Sequence, residues 1–194
     1  EKGVTKQCFY NIYIAGNITT WGEVVGRPAL TDEVHVYTRS DSAGAPETWA
    51  RYLGGRQEDL RGVGVYGDPG LLEAVRKDRL GIGFNNIGYA YDMKTKRQVQ
   101  GIRVVPIDVN GNGRIDPEED FYGTKDAIVE AIGQGAYPSP PARELYLVTK
   151  GKFFGATKEF VKWILTDGQK YVEEVGYLPL SRDTIDEQLK KLEG

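Results

Sequence analysis

A chain of 194 residues with a formal net charge of −3 and 40% hydrophobic residues is long enough to bury a sizeable core. The slightly acidic balance, with no basic stripe carrying interleaved aromatics, excludes a nucleic-acid surface, and no run approaches the ~20 apolar residues of a membrane span. Cys8 is the single cysteine, which excludes an intrachain disulfide.

In chain order, Val4 to Ile14 places Val4, Cys8 and Ile12 on one side and predicts a short amphipathic helix that Gly16 ends. Thr20 and Glu23 have the spacing of a capping box, so a second helical turn starts there with Trp21 in it. Gly26 to Asp32 reads as a loop around Pro28. Val34 to Thr38 is β-branched and aromatic and predicts a strand, after which Ala45, Trp49, Ala50 and Leu53 recur at helical spacing.

A strand that delivers its chain into a helix N-terminus leaves backbone N–H groups without intrahelical partners, and the helix dipole favours an anion there. Arg39 and Ser40 end the strand, so the residues suggest an oxyanion cradle: the Arg39 guanidinium, the Ser40 or Ser42 hydroxyl, and the amides of Ala43, Gly44 and Ala45. Asp41 is the odd member, because a carboxylate repels an anion unless that anion carries a proton to give it. The alternative is structural: Ser40 or Asp41 caps the helix, and Arg39 pairs with Asp41.

Gly54-Gly55 breaks the chain, and Arg56 to Gly67 reads as a glycine-spaced connection. Asp68 as N-cap and Pro69 at the first helical position open a helix with Leu71, Leu72, Val75 and Leu80 as its apolar stripe. Ile82 to Tyr91 predicts a short strand followed by a tight turn or a helical turn, with Asn85 and Asn86 as turn residues or as polar contacts to a cleft. Arg97 to Ile107 reads as a strand interrupted at Gly101.

Asp108 to Glu119 fills each key position of a twelve-residue EF-hand loop. Asp108, Asn110, Asn112 and Asp116 supply oxygen side chains at positions one, three, five and nine, Gly113 stands at the sharp turn, Arg114 offers its carbonyl, and Glu119 closes the loop. Calcium takes six to eight oxygens at about 2.3–2.6 Å, and this spacing can wrap them around one point. The strand-like run before it predicts an isolated loop inserted into another fold, with a structural calcium that staples it. An Asn/Gly/Asp-rich turn without metal is the alternative.

Thr124 to Ile132 predicts a helix, and Tyr137 to Pro141 a linker. Arg143 to Thr149 reads as a strand, Ala156 to Leu165 and Gly168 to Val175 as helices, and Asp183 to Leu192 as a closing helix capped by Ser181. The sole histidine, His35, lies in the Val34 strand and reads as a surface or satisfied residue. There is no nucleophile elbow, P-loop, C-x-x-C or H-E-x-x-H, so catalysis is not expected.

Ile12 to Trp21, Thr38-Arg39-Ser40-Asp41 with Gly44, Gly81-Ile82-Gly83-Phe84, and Gly168-Gln169-Lys170 with Gly176 to Leu180 stand in an order that resembles the type II periplasmic substrate-binding proteins of the phosphate-binding group, which feed ABC transporters. The resemblance implies an α/β fold: a periplasmic-binding-protein type II lobe, with a mixed sheet flanked by helices, over residues 1–141. The C-terminal portion of a second lobe follows over 142–194, and the family's N-terminal segment lies outside this chain. It implies that Arg39 binds phosphate oxygens, that Asp41 accepts the proton of a protonated oxyanion, and that the Ala43, Gly44 and Ala45 amides complete that side. Two hydroxyls of the family pattern fall at Ala43 and Ala45, and losing two neutral hydrogen bonds costs about 1–3 kcal/mol.

The implied function is capture of phosphate or a related tetrahedral oxyanion for an ABC transporter permease, in an extracytoplasmic, anchored protein that meets the membrane only through its anchor or transporter. Half a binding site with an orphaned apolar surface also implies self-association. The other reading the residues allow is a calcium-binding interaction or sensor protein, in which the strand-to-helix turn is merely structural.

Overall fold

The computed structural model describes residues 2–138, 144–175 and 177–193. The chain divides into two compact units, Glu1–Arg143 and Glu144–Gly194. In the first, β2 (His35–Arg39) is the middle of a three-stranded sheet between β3 (Val63–Val65) and β4 (Gly81–Ile82), both parallel to it. Parallel neighbours need crossover connections, and α3 (Gly44–Leu53) and α4 (Gly67–Lys77) supply them. A two-stranded parallel sheet joins β1 (Val4–Thr5) to β5 (Ile107–Asp108). The expected mixed sheet is therefore parallel in its named strands, and the antiparallel pairings among the described residues are isolated bridges such as Tyr91 to Gln98.

The periodicity that predicts α3 also sets its packing. Trp49, Ala50 and Leu53 are buried, and the Trp49 ring meets Phe9 and Tyr13 edge-on at centroid distances of 5.2 and 5.5 Å. Around them close Ile12, Tyr52, Ile82, Ile107 and Ile128, one contiguous core beneath the sheet and its crossover helices. Gly54, at φ 94°, ends α3 in the left-handed region that glycine enters without a Cβ penalty. Thr124 caps α6 (Lys125–Gly133) by accepting from the Ala127 amide.

The capping box at Thr20 and Glu23 forms and opens α2 (Trp21–Val25). Other expectations are corrected. Val4 to Ile14 starts with β1, because the Val4 amide donates to the Pro106 carbonyl, and only then winds into α1 (Lys6–Tyr10) and a π-helical turn over Asn11–Ala15. The Arg56 to Gly67 connection contains β3, a strand too short to show a period. Gly62 lets it pass close, since a Cβ there would lie 2.5 Å from the Val36 carbonyl oxygen. Arg97 to Ile107 forms no continuous strand: Arg97 and Gln98 make only isolated bridges, Gly101 turns at φ 91°, the Gln98 side chain takes the Val104 amide, and a strand forms only at Ile107–Asp108. After β4 the chain makes the short α5 (Ile87–Ala90), one of the two expectations for that stretch.

The second unit carries α7 (Gly155–Leu165) and α8 (Arg182–Glu193), in contact with each other. The predicted helix over Gly168 to Val175 is instead a pair of 3-10 turns, Asp167–Tyr171 and Glu173–Val175. Gln169 ties them down, donating to the Ile164 carbonyl and accepting from the Leu180 amide. Ser181 accepts from the Thr184 amide, as its predicted capping role requires. The linker and the start of the strand predicted from Arg143 fall on residues 139–143, outside the described residues. Residues 144–149 pair with no strand among the described residues, and Tyr146 and Val148 are exposed.

Candidate functional site

β2 ends at Arg39, and its parallel register carries the next residue onto β3, where the Ser40 amide donates to the Val65 carbonyl. The turn to α3 therefore leaves the sheet at the carboxyl end of its central strand, where ligands bind in open α/β sheets. Here the Arg39 side chain is only 6% exposed. Its Nε donates to Asp41 Oδ1 at 2.8 Å and its Nη2 to Asp41 Oδ2 at 2.5 Å, while Nη1 pairs with Asp68. The Gly67 amide adds a third donor to Asp41, on Oδ1 at 3.0 Å. The Arg39 bonds and then the Gly67 amide hold the Asp41 carboxyl well below the usual carboxylate range, and the bond to Asp41 raises Arg39 in turn.

The turn is held from outside by Gln57, which donates to the Asp41 carbonyl at 2.8 Å and accepts weakly from the Ala43 amide at 3.4 Å. Ala43 is the helix N-cap, with no side-chain capping bond, so neither Ser40 nor Asp41 caps α3. The next two amides, of Gly44 and Ala45, have no acceptor among the described residues. Ser40, Ser42 and Gly44 are exposed around them. Arg39 makes the pair with Asp41 that was the structural alternative for this turn. Both Asp41 oxygens are engaged, Oδ1 by Arg39 Nε and the Gly67 amide and Oδ2 by Arg39 Nη2.

Asp68 corrects a second expectation. The N-cap of α4 is Tyr66 and the helix begins at Gly67, which puts Asp68 in the first turn. Its carboxylate serves Arg39 and accepts from Asn86 Nδ2 at 2.6 Å, and its carbonyl accepts from Asn85 Nδ2 at 2.9 Å. Gln57, Gly67, Asp68, Asn85 and Asn86 thus belong to the site. Of these, only the Asn pair carried a signal in the sequence, as polar residues just after a predicted strand.

The 108–119 loop curls on its own oxygens. Asp108 accepts from the Gly111 and Gly113 amides, and Asn110 and Asn112 accept from the amides of Asn112 and Arg114. The side-chain amides of Asn110 and Asn112 meet on one Asp116 oxygen at 3.0 and 2.6 Å, and Arg114 Nε lies 3.1 Å from the other. Glu119, 5% exposed, accepts from the Val109, Asn110 and Asp116 amides. Among the described residues no three His, Cys, Asp or Glu side chains gather as a metal site. The loop follows β5 and precedes a 3-10 turn at Pro117–Glu119, with no helix pair around it. Nor is any described helix long and apolar enough to cross a membrane.

A family described as PBP superfamily domain matches residues 1–168 of the chain. The chain is 24% identical to the phosphate-binding protein PstS of Xylella fastidiosa over 88% of its own length and 54% of that protein. It is 33% identical to phosphate-binding protein PstS 2 of Streptococcus agalactiae over 57% of its length and 30% of that protein. It spans about half the length, or less, of these curated relatives. A candidate phosphate ABC transporter substrate-binding protein of Clostridium perfringens, solved with bound phosphate, shares the fold with a TM-score of 0.61 at 18% identity, over 93% of this chain and 64% of that one. A candidate phosphate-binding protein of Planctomyces limnophilus gives 0.56 at 15%, over 99% and 64%.

Proposed function

The chain belongs to the PBP superfamily, and from that premise we propose that it is part of an extracytoplasmic solute-binding component that captures phosphate or a related tetrahedral oxyanion for an ABC importer permease. The observation that carries the reading is Arg39: a guanidinium withdrawn from water at the carboxyl end of a central parallel strand, at the start of the turn that leads into the unclaimed Gly44 and Ala45 amides. A charge there and a helix N-terminus act together on an anion. The names of the relatives support phosphate as that anion and an importer as the partner. Arg39 is the group that binds ligand oxygens, the Gly44 and Ala45 amides bind beside it, and Asp41 holds the guanidinium in plane. The sensor reading gains nothing from the family match or from a loop that lacks flanking helices to open.

Calorimetric titration of the chain with phosphate tests this. Saturable binding that disappears in Arg39→Gln is the expected result. Binding that survives Arg39→Gln refutes the anion site.

For the 108–119 loop we propose a structural calcium ion, held by Asp108, Asn110, Asn112, Asp116 and Glu119 and by the Arg114 carbonyl. The twelve-residue spacing of oxygen-bearing residues supports this. An ion bound only by the folded loop adds stability by mass action.

A further inference from the structure

The Arg39 guanidinium is covered as well as buried. Of the five N–H donors a guanidinium carries, three point at carboxylates, and one cation between two carboxylates leaves the cluster with a net negative charge. An oxyanion therefore meets a guanidinium with only two N–H donors left and a cluster of net negative charge until one carboxylate leaves.

The two carboxylates are not held alike. Asp41 receives two bonds from Arg39 and one from the Gly67 amide, on a turn that Gln57 fixes from outside. Asp68 receives one bond from Arg39 and one from Asn86, an exposed side chain. Swinging out, Asp68 stays in the first turn of α4, where the helix dipole still favours its charge in water. Displacing Asp41 breaks three bonds, two of them to the group that must bind the ligand.

We infer that Asp68 is a displaceable latch on the anion site, an internal carboxylate that occupies Arg39 until an incoming oxyanion replaces it. The inference rests on the anion-site reading above and adds to it a residue that sets affinity. The latch lowers the fraction of molecules competent to bind, and apparent affinity falls by that fraction. It does so for any oxyanion alike, because what it withholds is the guanidinium and not a proton acceptor.

Calorimetry with inorganic phosphate and with sulfate, on the wild-type chain, Asp68→Asn and Asn86→Ala, tests this, with unfolding curves to show that each variant is folded. Asp68→Asn is expected to bind both anions about ten-fold more tightly with their ratio unchanged, and Asn86→Ala to shift both the same way by less. Phosphate affinity that stays the same or weakens in both variants overturns the latch and leaves the anion site standing. A gain confined to sulfate also overturns it, since Asp68 would then be reading the ligand's proton. Absence of binding of either anion to the wild type and to both variants overturns the anion site and the latch together.

Discussion

Arg39 and Asp41, two residues apart at the end of β2, lie side-on to one another, Nε to Oδ1 at 2.8 Å and Nη2 to Oδ2 at 2.5 Å. A planar fork facing a planar carboxylate fixes the guanidinium in direction as well as position.

Replacing Asp41 by Asn keeps the shape and loses that grip, since one of the two acceptors becomes a donor facing Arg39. Phosphate affinity is expected to fall about ten-fold or more as the guanidinium loses its orientation. Calorimetry of Asp41→Asn beside the wild type checks this, and equal affinity means that the pair does not orient the site.

The same pair gives stability a pH dependence. The Asp41 carboxyl is depressed by Arg39 first and by the Gly67 amide second, so around the ordinary carboxylate range the unfolded chain binds the extra proton. The contribution is whole above about pH 5 and is lost as pH falls through and below about 4. Urea unfolding from pH 7 to pH 3 should show the gap between wild type and Asp41→Asn closing as the solution is acidified. Asp78 and Asp116 are depressed as well, and their contribution is common to both proteins. A gap that stays constant with pH speaks against the pair.

Tyr13 is fully buried, and its hydroxyl meets no hydrogen-bond partner among the described residues. An unpaired buried polar group costs roughly 1–3 kcal/mol, so Tyr13→Phe should raise unfolding stability by about 1 kcal/mol once small packing losses are counted. Leu71→Ala, at a fully buried apolar position, should do the reverse by about 2–5 kcal/mol. Denaturant midpoints separate the two signs.

Glu119 closes the 108–119 loop through three backbone amides. Glu119→Gln is expected to lower the melting temperature in chelator, because an amide is a weaker acceptor than a buried carboxylate. Calcium should raise the wild-type melting temperature without increasing the binding of an apolar dye, and should do less for the variant. A wild-type melting curve indifferent to calcium rejects the ion and leaves the loop a self-bonded turn.

Where sequence and structure agree, the signal was local. The Thr20 capping box, the Ala45 to Leu53 stripe and the Ser181 cap each lie within a few turns of chain, and each formed. The Arg39 to Asp41 pair, two residues apart, was legible for the same reason. What failed depended on partners far along the chain. Val4 and Thr5 leave the helical pattern because Ile107 and Asp108 are there to pair with. Val63 to Val65 becomes a strand because Tyr37 to Arg39 lie beside it. Asp68 reads as a helix cap by every neighbour it has in sequence, and only the fold brings Arg39 and Asn86 to its carboxylate.

The parallel pairing of Val4 with Ile107 sets an order on assembly. During synthesis Val4 and Thr5 leave the ribosome long before Ile107 has been translated, and through that interval their side of the ladder is empty. The first unit can nucleate around the neighbouring β2, α3 and β3, but its opening strand cannot pair until Ile107 and Asp108 have emerged, and contacts of such long range are slow to close.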